Sequence, residues 1–326
     1  MSVPLQFFIV SLGVAVLLSC VLTAVHYPYD TDPPDDPLTG GRERLYYEHA
    51  YGQDGGESTS PFSQGDEYVQ KARAHAMAAE IPQSIESFVQ KYQLHGRRAL
   101  EIGAGSGLLQ DVVDRYVAMD VSPTASRFFH KPFVVASGTH IPFGDDSFDV
   151  AWSIWALEHM SHPERALSEI RRVVRDGGYA VLFPAWDCDP WAADGYEVRP
   201  FTDFGLTGKL IKASIPVRLS PWYSLLYRRQ VRMIRTLMTV LSGRPSRLHF
   251  VRLNPNYSKY WVTDSDAAVS LDFFETFLWF TSRGDECVDG PSRNALLFGR
   301  PGLHSDFLVV RVNKSRSDAS TLIGPA

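Results

Sequence analysis

Three glycines at alternate positions, Gly103, Gly105 and Gly107, follow directly on the largely apolar run 99–102. Such a break reads as strand, tight loop and helix N-terminus. It lets backbone amides approach a bound anionic group, because no Cβ stands in the way. A dinucleotide fingerprint would need its third glycine at the sixth position; here Leu108 stands there and the third glycine comes one residue early. Glu101 precedes the loop, with Ala104 inside it. Asp120 closes the next apolar run, 116–120, where a carboxylate can accept both hydroxyls of a ribose. Further on, His159 follows the run 148–153, and Asp187 follows the run 179–184. Either could remove a proton from an acceptor hydroxyl, although a histidine at a helix start equally caps or packs, and His162 reads as the cap of the helix after it.

These residues need a scaffold that gathers strand ends. The spacing predicts strands over 99–102, 116–120, 133–136, 148–153 and 179–184. Between them it predicts helices over 107–115, from Pro123 with Ser122 as cap, and over 163–175, the last ended by Gly177-Gly178. Alternating strands and helices build a parallel sheet covered on both faces, and ligands of such sheets bind beyond the carboxyl ends of the strands. Glu101 to Gly107, Asp120, Ser137-Gly138, Ser153 and His159 all fall there. Two helices over 66–80 and 82–94 precede the core. A helix from Asp264 or Ser265 to about Ser282, a sixth strand over 295–298 and an antiparallel last strand over 307–312 complete it.

Taken together, the loop 103–107, Asp120, the segment 141–153 and Leu157-Glu158-His159 resemble the class I S-adenosylmethionine-dependent methyltransferases, in particular the methyltransferase type 11 group. The resemblance covers residues 97–184. It implies a Rossmann-like, doubly wound, seven-stranded α/β sheet and S-adenosyl-L-methionine as cofactor. It also implies that the loop holds the amino acid end and Asp120 the ribose. Around the adenine the pattern departs: Ser137 stands before Gly138 where the family commonly has an aspartate. Related enzymes often close an aromatic segment over the cofactor, a role open to Tyr46-Tyr47; packing on the domain edge is the alternative. A nicotinamide-dependent oxidoreductase and a non-catalytic membrane scaffold of the same fold are the competing functions. The first is disfavoured by Leu108 and by the absence of a Tyr-x-x-x-Lys pair.

The chain has 326 residues, 44% apolar and 21% charged, with a net charge of −5. Cys20, Cys188 and Cys287 are too far apart for zinc spacing, and no metal site or disulfide framework is expected. Residues 7–25 carry no charge, which predicts a transmembrane anchor over 1–27. Arg42 and Arg44 after it place the catalytic part in the cytoplasm on a single-pass topology. Residues 28–65, rich in proline, glycine and acids, read as a flexible tether. The methyltransferase domain then runs over 66–314, and 315–326 is a disordered tail.

From Phe204 through Thr263 there are eleven basic residues and no acid. Within the insertion 185–263, the helix 224–242 aligns Arg228, Arg232 and Arg235 on one side and apolar residues on another. The pattern predicts a basic face lying on an anionic membrane, or a solvated face over the sheet. The implied acceptor is a small or lipid-linked molecule at the bilayer. Nucleic acid does not fit so acidic a remainder, and no obligate protein partner is evident.

Overall fold

The computed structural model describes residues 3–32, 41–52, 65–259, 262–289 and 307–315. Helix α1 is Val3–His26, followed by strand β1 (Tyr29–Asp30) and helices α2 (Gly41–Ala50), α3 (Gly65–Ala78) and α4 (Ile81–Lys91). The core brings β2 (Arg98–Ile102), β3 (Arg115–Asp120), β4 (Phe133–Val135), β5 (Phe148–Ile154), α5 (Pro163–Val173) and β6 (Val174–Phe183). An insertion then supplies α6 (Leu206–Arg218), α7 (Pro221–Tyr223), a π-helical turn (Ser224–Arg228) and α8 (Arg229–Ser242). Last come β7 (Phe250–Arg252), β8 (Val269–Leu271), α9 (Phe273–Thr281), β9 (Glu286–Asp289) and β10 (Leu308–Arg311).

Seven strands form one sheet in the order β4-β3-β2-β5-β6-β10-β9. The pairs within β2 to β6 are parallel, whereas β10 runs antiparallel to β6 and to β9. Period-two alternation assigns the two faces. Leu100, Ile102, Met119, Ala151 and Leu182 pack towards α5 and α9. Ala99, Tyr116, Ala118, Val150 and Trp152 pack towards α4, whose Ile81, Ile85, Phe88 and Val89 form one buried stripe. Each fully buried Leu, Ile, Val, Phe or Met among them contributes about 1.5–3 kcal/mol by leaving water. The doubly wound α/β sheet is therefore as expected, and the order reverses at β2, which places a ligand crevice beyond its carboxyl end.

Several elements differ from expectation. Of the residues expected to form a helix over 107–115, those up to 114 form turns and Arg115 opens β3. So short a segment cannot offset helix nucleation, and it is fixed instead by buried Leu109 and Val113 and by the Gln110 amide, which donates to the carbonyls of Gly107 and Phe128. The last helix starts at Phe273 and is capped by Asp272, not by Asp264 or Ser265. The residues before it are drawn into β8, which pairs with β7. Ser122 occupies the cap position of a 3-10 helix (Pro123–Phe128) without a capping bond, and its Oγ pairs with Thr124 Oγ1. His162 likewise sits at the cap position of α5, with its ring turned to Ser161. The strand expected at 295–298 lies outside the described residues, and the edge position is filled by β9. The expected tail beyond Ser315 is also outside them. Within the expected tether, Tyr29–Asp30 pairs with β7 and Gly41–Ala50 is helical.

Among the described residues no helix is long and apolar enough to cross a membrane, so the transmembrane helix expected over 1–27 is not borne out. Helix α1 lies against α6 and α7, with Val16 and Ser19 buried. The basic stripe of α8 is also corrected, because its arginines point inward. Arg232 donates to both carboxylate oxygens of Asp272 at 3.0 Å, Arg235 pairs with Glu275 at 3.1 Å, and Arg228 pairs with Asp187 at 2.9 Å. Arg228, Arg232 and Arg235, in a stretch without acids, find their carboxylate partners elsewhere in the fold; the helix's charged side is its protein-facing side.

Candidate active site

At the end of β2 the chain must turn sharply to clear β5, and all three glycines have positive φ: 72° at Gly103, 50° at Gly105 and 72° at Gly107. A Cβ at Gly103 would stand 2.3 Å from that of Ala156, and one at Gly105 would stand 2.9 Å from the Tyr51 hydroxyl. The loop is thus pressed between the turn after β5 and the chain emerging from α2. It is tied to the next strand through Asp120, whose Oδ2 accepts from the Gly105 amide at 2.9 Å and whose Oδ1 accepts from the Ser122 amide at 2.9 Å. Burial pushes this carboxyl up, opposed by those amides. Ala104 is buried in the sheet-facing side of the loop, and Arg73 of α3 donates to the Ser106 carbonyl.

Glu101 is buried in the sheet directly before the loop. It accepts from the Tyr116 hydroxyl, and burial pushes its carboxyl up to about 8, opposed by Tyr116 and by the Trp152 indole. Ser137 is engaged locally, its Oγ 2.9 Å from Thr139 Oγ1, and Gly138 packs where a Cβ would meet Met160 Sδ at 2.7 Å. Ser153, at the end of β5, is fully buried, and its Oγ has no hydrogen-bond partner among the described residues.

His159 lies in the 3-10 turn Leu157–His159 directly after β5. Its Nδ1 is 3.4 Å from the carbonyl oxygen of Asp266 and 3.9 Å from its Oδ2, while its Nε2 is 4.0 Å from Glu158 Oε1. The Tyr47 ring meets the imidazole edge-on, with centroids 5.7 Å apart, and the Tyr47 hydroxyl donates to Asp266 Oδ2 at 3.3 Å. Glu158 is buried, accepts from the Ala185 amide at 3.0 Å, and is pushed up to about 7, chiefly by burial. Asp264 is raised by burial and opposed by His159. Asp187 is elsewhere: it pairs with Arg228 in the wall of a cavity of about 640 Å³, whose lining runs from Asp264 to Ser220 and Pro221. Among the described residues no group of three His, Cys, Asp or Glu is arranged to hold a metal ion.

The structure thus brings the loop, Asp120 and α2 together, and sets His159 beside Tyr47. Tyr51 and Asp266 escape a reading of the sequence. Tyr47 and Tyr51 are four residues apart, on one face of a helix, which was the available signal. Asp266 reads as cap chemistry in its Asp264-Ser265-Asp266 context.

Residues 100–182 match the methyltransferase domain family model. An uncharacterized methyltransferase of Mycolicibacterium vanbaalenii is 36% identical over 103 residues, covering 28% of this chain and 40% of that protein. The phthiotriol/phenolphthiotriol dimycocerosates methyltransferase 1 of Mycobacterium ulcerans is 30% identical over 138 residues, 37% of this chain and 51% of that one. The chain thus spans about half or less of the length of these relatives. Among solved structures, the S-adenosylmethionine-bound amino pentose methyltransferase CalS10 of Micromonospora echinaspora aligns with a TM-score of 0.33 at 14% identity, over 37% of this chain and 58% of that one. Over residues 100–182, the chain thus resembles the S-adenosylmethionine-dependent methyltransferases.

Proposed function

We propose that this chain transfers the methyl group of S-adenosylmethionine to an acceptor placed beside His159. The observation that carries the reading is the loop 103–107, left-handed at each glycine and fastened to Asp120, at the sheet's switch point. The residues fit the cofactor. A glycine at 105 leaves room that a Cβ would fill, Asp120 retains lone pairs for ribose hydroxyls, and the buried Ser153 Oγ lacks a partner. In this reading Gly103, Ala104, Gly105 and Gly107 hold the amino acid end. Ser137 and Gly138 border the adenine, and Glu101 stiffens β2 through Tyr116.

The bound cofactor supplies a methyl group already activated by its sulfonium charge. The chain's work is to align the acceptor and exclude water. Tyr47 on α2 and Tyr51 directly after it cover the crevice, which supports exclusion of water. With its Nδ1 proton directed at the Asp266 carbonyl, His159 presents Nε2 as the base for an acceptor hydroxyl. Asp187, held by Arg228, serves the wall of the acceptor cavity rather than proton transfer. In this reading Ser137, whose Oγ also meets Thr139 Oγ1, takes the place of an adenine-binding aspartate as a weaker acceptor.

The test is formation of S-adenosylhomocysteine by the purified chain supplied with fractionated acceptor pools. Turnover in the lipid-soluble fraction, reduced roughly a hundredfold in His159→Asn at unchanged cofactor affinity, supports the reading. Turnover indifferent to His159 removes the base from the mechanism.

A further inference from the structure

Turning Arg228, Arg232 and Arg235 inward leaves the opposite side of α7 and α8 facing out, and that side is apolar. Every exposed residue from 221 to 242 is uncharged. Trp222, Leu226, Ile234, Leu237, Met238 and Leu241 stand in solvent, Leu241 at 72% exposure and Ile234 at 59%. A water-facing helix shows the reverse pattern, with charges out and aliphatics in. The face does not end with α8. Helix α6 exposes Leu206 and Leu210, Leu219 at its end is exposed too, and the uncharged α1, packed on α6 and α7, exposes Val10, Val14, Leu17 and Val21. Monomeric soluble proteins rarely expose so continuous an apolar surface.

The rim identifies what covers it. Lys209 and Arg244 are exposed at its border, and residues 204–263 contain no acid. A second copy seated face to face would bring these like charges together, whereas phosphate headgroups complement them. The exposed Trp222 suits the headgroup level. At about 1.5 Å per residue, α1 offers a strip roughly 36 Å long without a charge to interrupt it.

We propose that α6, α7, α8 and α1 form a monotopic face that lies in one leaflet of a membrane containing anionic lipid, with the arginines of α8 turned into the protein. The chain thereby rests in the interface without spanning it. A consequence rests on the methyltransferase reading, though the face itself does not: the cavity that runs from Asp264 reaches Leu219, Ser220 and Pro221 at the base of this face, so an acceptor would arrive from the lipid.

The test uses the full chain with Cys20→Ser and Cys287→Ser, spin-labelled at Leu237→Cys on α8 or, as a reference, at Glu86→Cys on α4. With vesicles of phosphatidylcholine and phosphatidylglycerol, the label at 237 should gain collisions with oxygen and lose those with a water-soluble nickel chelate, while the label at 86 stays unchanged. The triple variant Ile234→Gln, Leu237→Gln, Leu241→Gln should lower vesicle partitioning at least about tenfold, and phosphatidylcholine alone should bind more weakly at low salt. A label at 237 that stays open to nickel with vesicles overturns the proposal. So does one already shielded without them in a particle of doubled mass, which assigns the face to a second copy. Unchanged partitioning of the triple variant, or equal binding to both lipids, does so as well.

Discussion

Glu101 and Glu158 show how strongly burial alone sets the chemistry of a residue in this sheet. Both are nearly inaccessible, and desolvation raises their carboxyls to about 8 and about 7, from an ordinary value of 4.5. A folded-state value above the unfolded one means that the folded chain binds more protons across the interval between them, so stability falls as pH rises there. The loss starts near the ordinary carboxyl range and is complete once pH passes the folded values. Glu101→Gln and Glu158→Gln keep the acceptor oxygens for Tyr116 and Ala185 and remove the titration. The expected outcome is a wild-type melting temperature that declines between about pH 5 and pH 8 and a flatter profile in each variant, worth on the order of 2–4 kcal/mol at alkaline pH for Glu101. Thermal melts across that range check it; identical slopes would contradict it.

Helix α8 carries the clearest lesson at the scale of elements. Its period and the presence of a helix were legible in Arg228, Arg232, Arg235 and the aliphatics between them, but which side faces the protein was not. Basic residues usually face water, and the acids that reverse this, Asp187, Asp272 and Glu275, lie far away in sequence or beyond the acid-free stretch. Asp272 has two tasks, since it also caps α9 by accepting from the Phe274 amide at 2.7 Å. Asp272→Ala should therefore cost about 3–5 kcal/mol, because it orphans a buried guanidinium as well as a cap. Asp272→Asn should cost less, since the amide oxygen still caps. Urea unfolding distinguishes these; a loss for Asp272→Ala of under about 0.5 kcal/mol would mean a solvated ion pair. Likewise Asp264 and Ser265 offered cap chemistry, yet the pairing of β8 with β7 moved the helix start to Phe273.

For the molecule as a whole, the parallel sheet was readable because short apolar runs alternate with turn and helix signals, and because β2 gives way to Gly103 and β3 ends at Asp120, each with a local reason to be there. The aromatic side of the site was legible only in part: Tyr46-Tyr47 offered such a segment, whereas Tyr51, whose hydroxyl stands beside Gly105, is disguised by its proline- and acid-rich surroundings. Tyr51→Ala should weaken cofactor retention about tenfold if that covering excludes water, with a faster off-rate in stopped-flow measurement and an unchanged melting temperature. The central claim is that the loop 103–107 and Asp120 hold S-adenosylmethionine, and titration calorimetry of the full chain tests it most directly. The account predicts saturable binding of S-adenosylmethionine and of S-adenosylhomocysteine and none of NAD. It also predicts loss of binding in Gly105→Val, where a branched side chain enters the cradle, and in Asp120→Ala, with both variants still folded. Binding of NAD instead, or unaltered S-adenosylmethionine affinity in both variants, would contradict it.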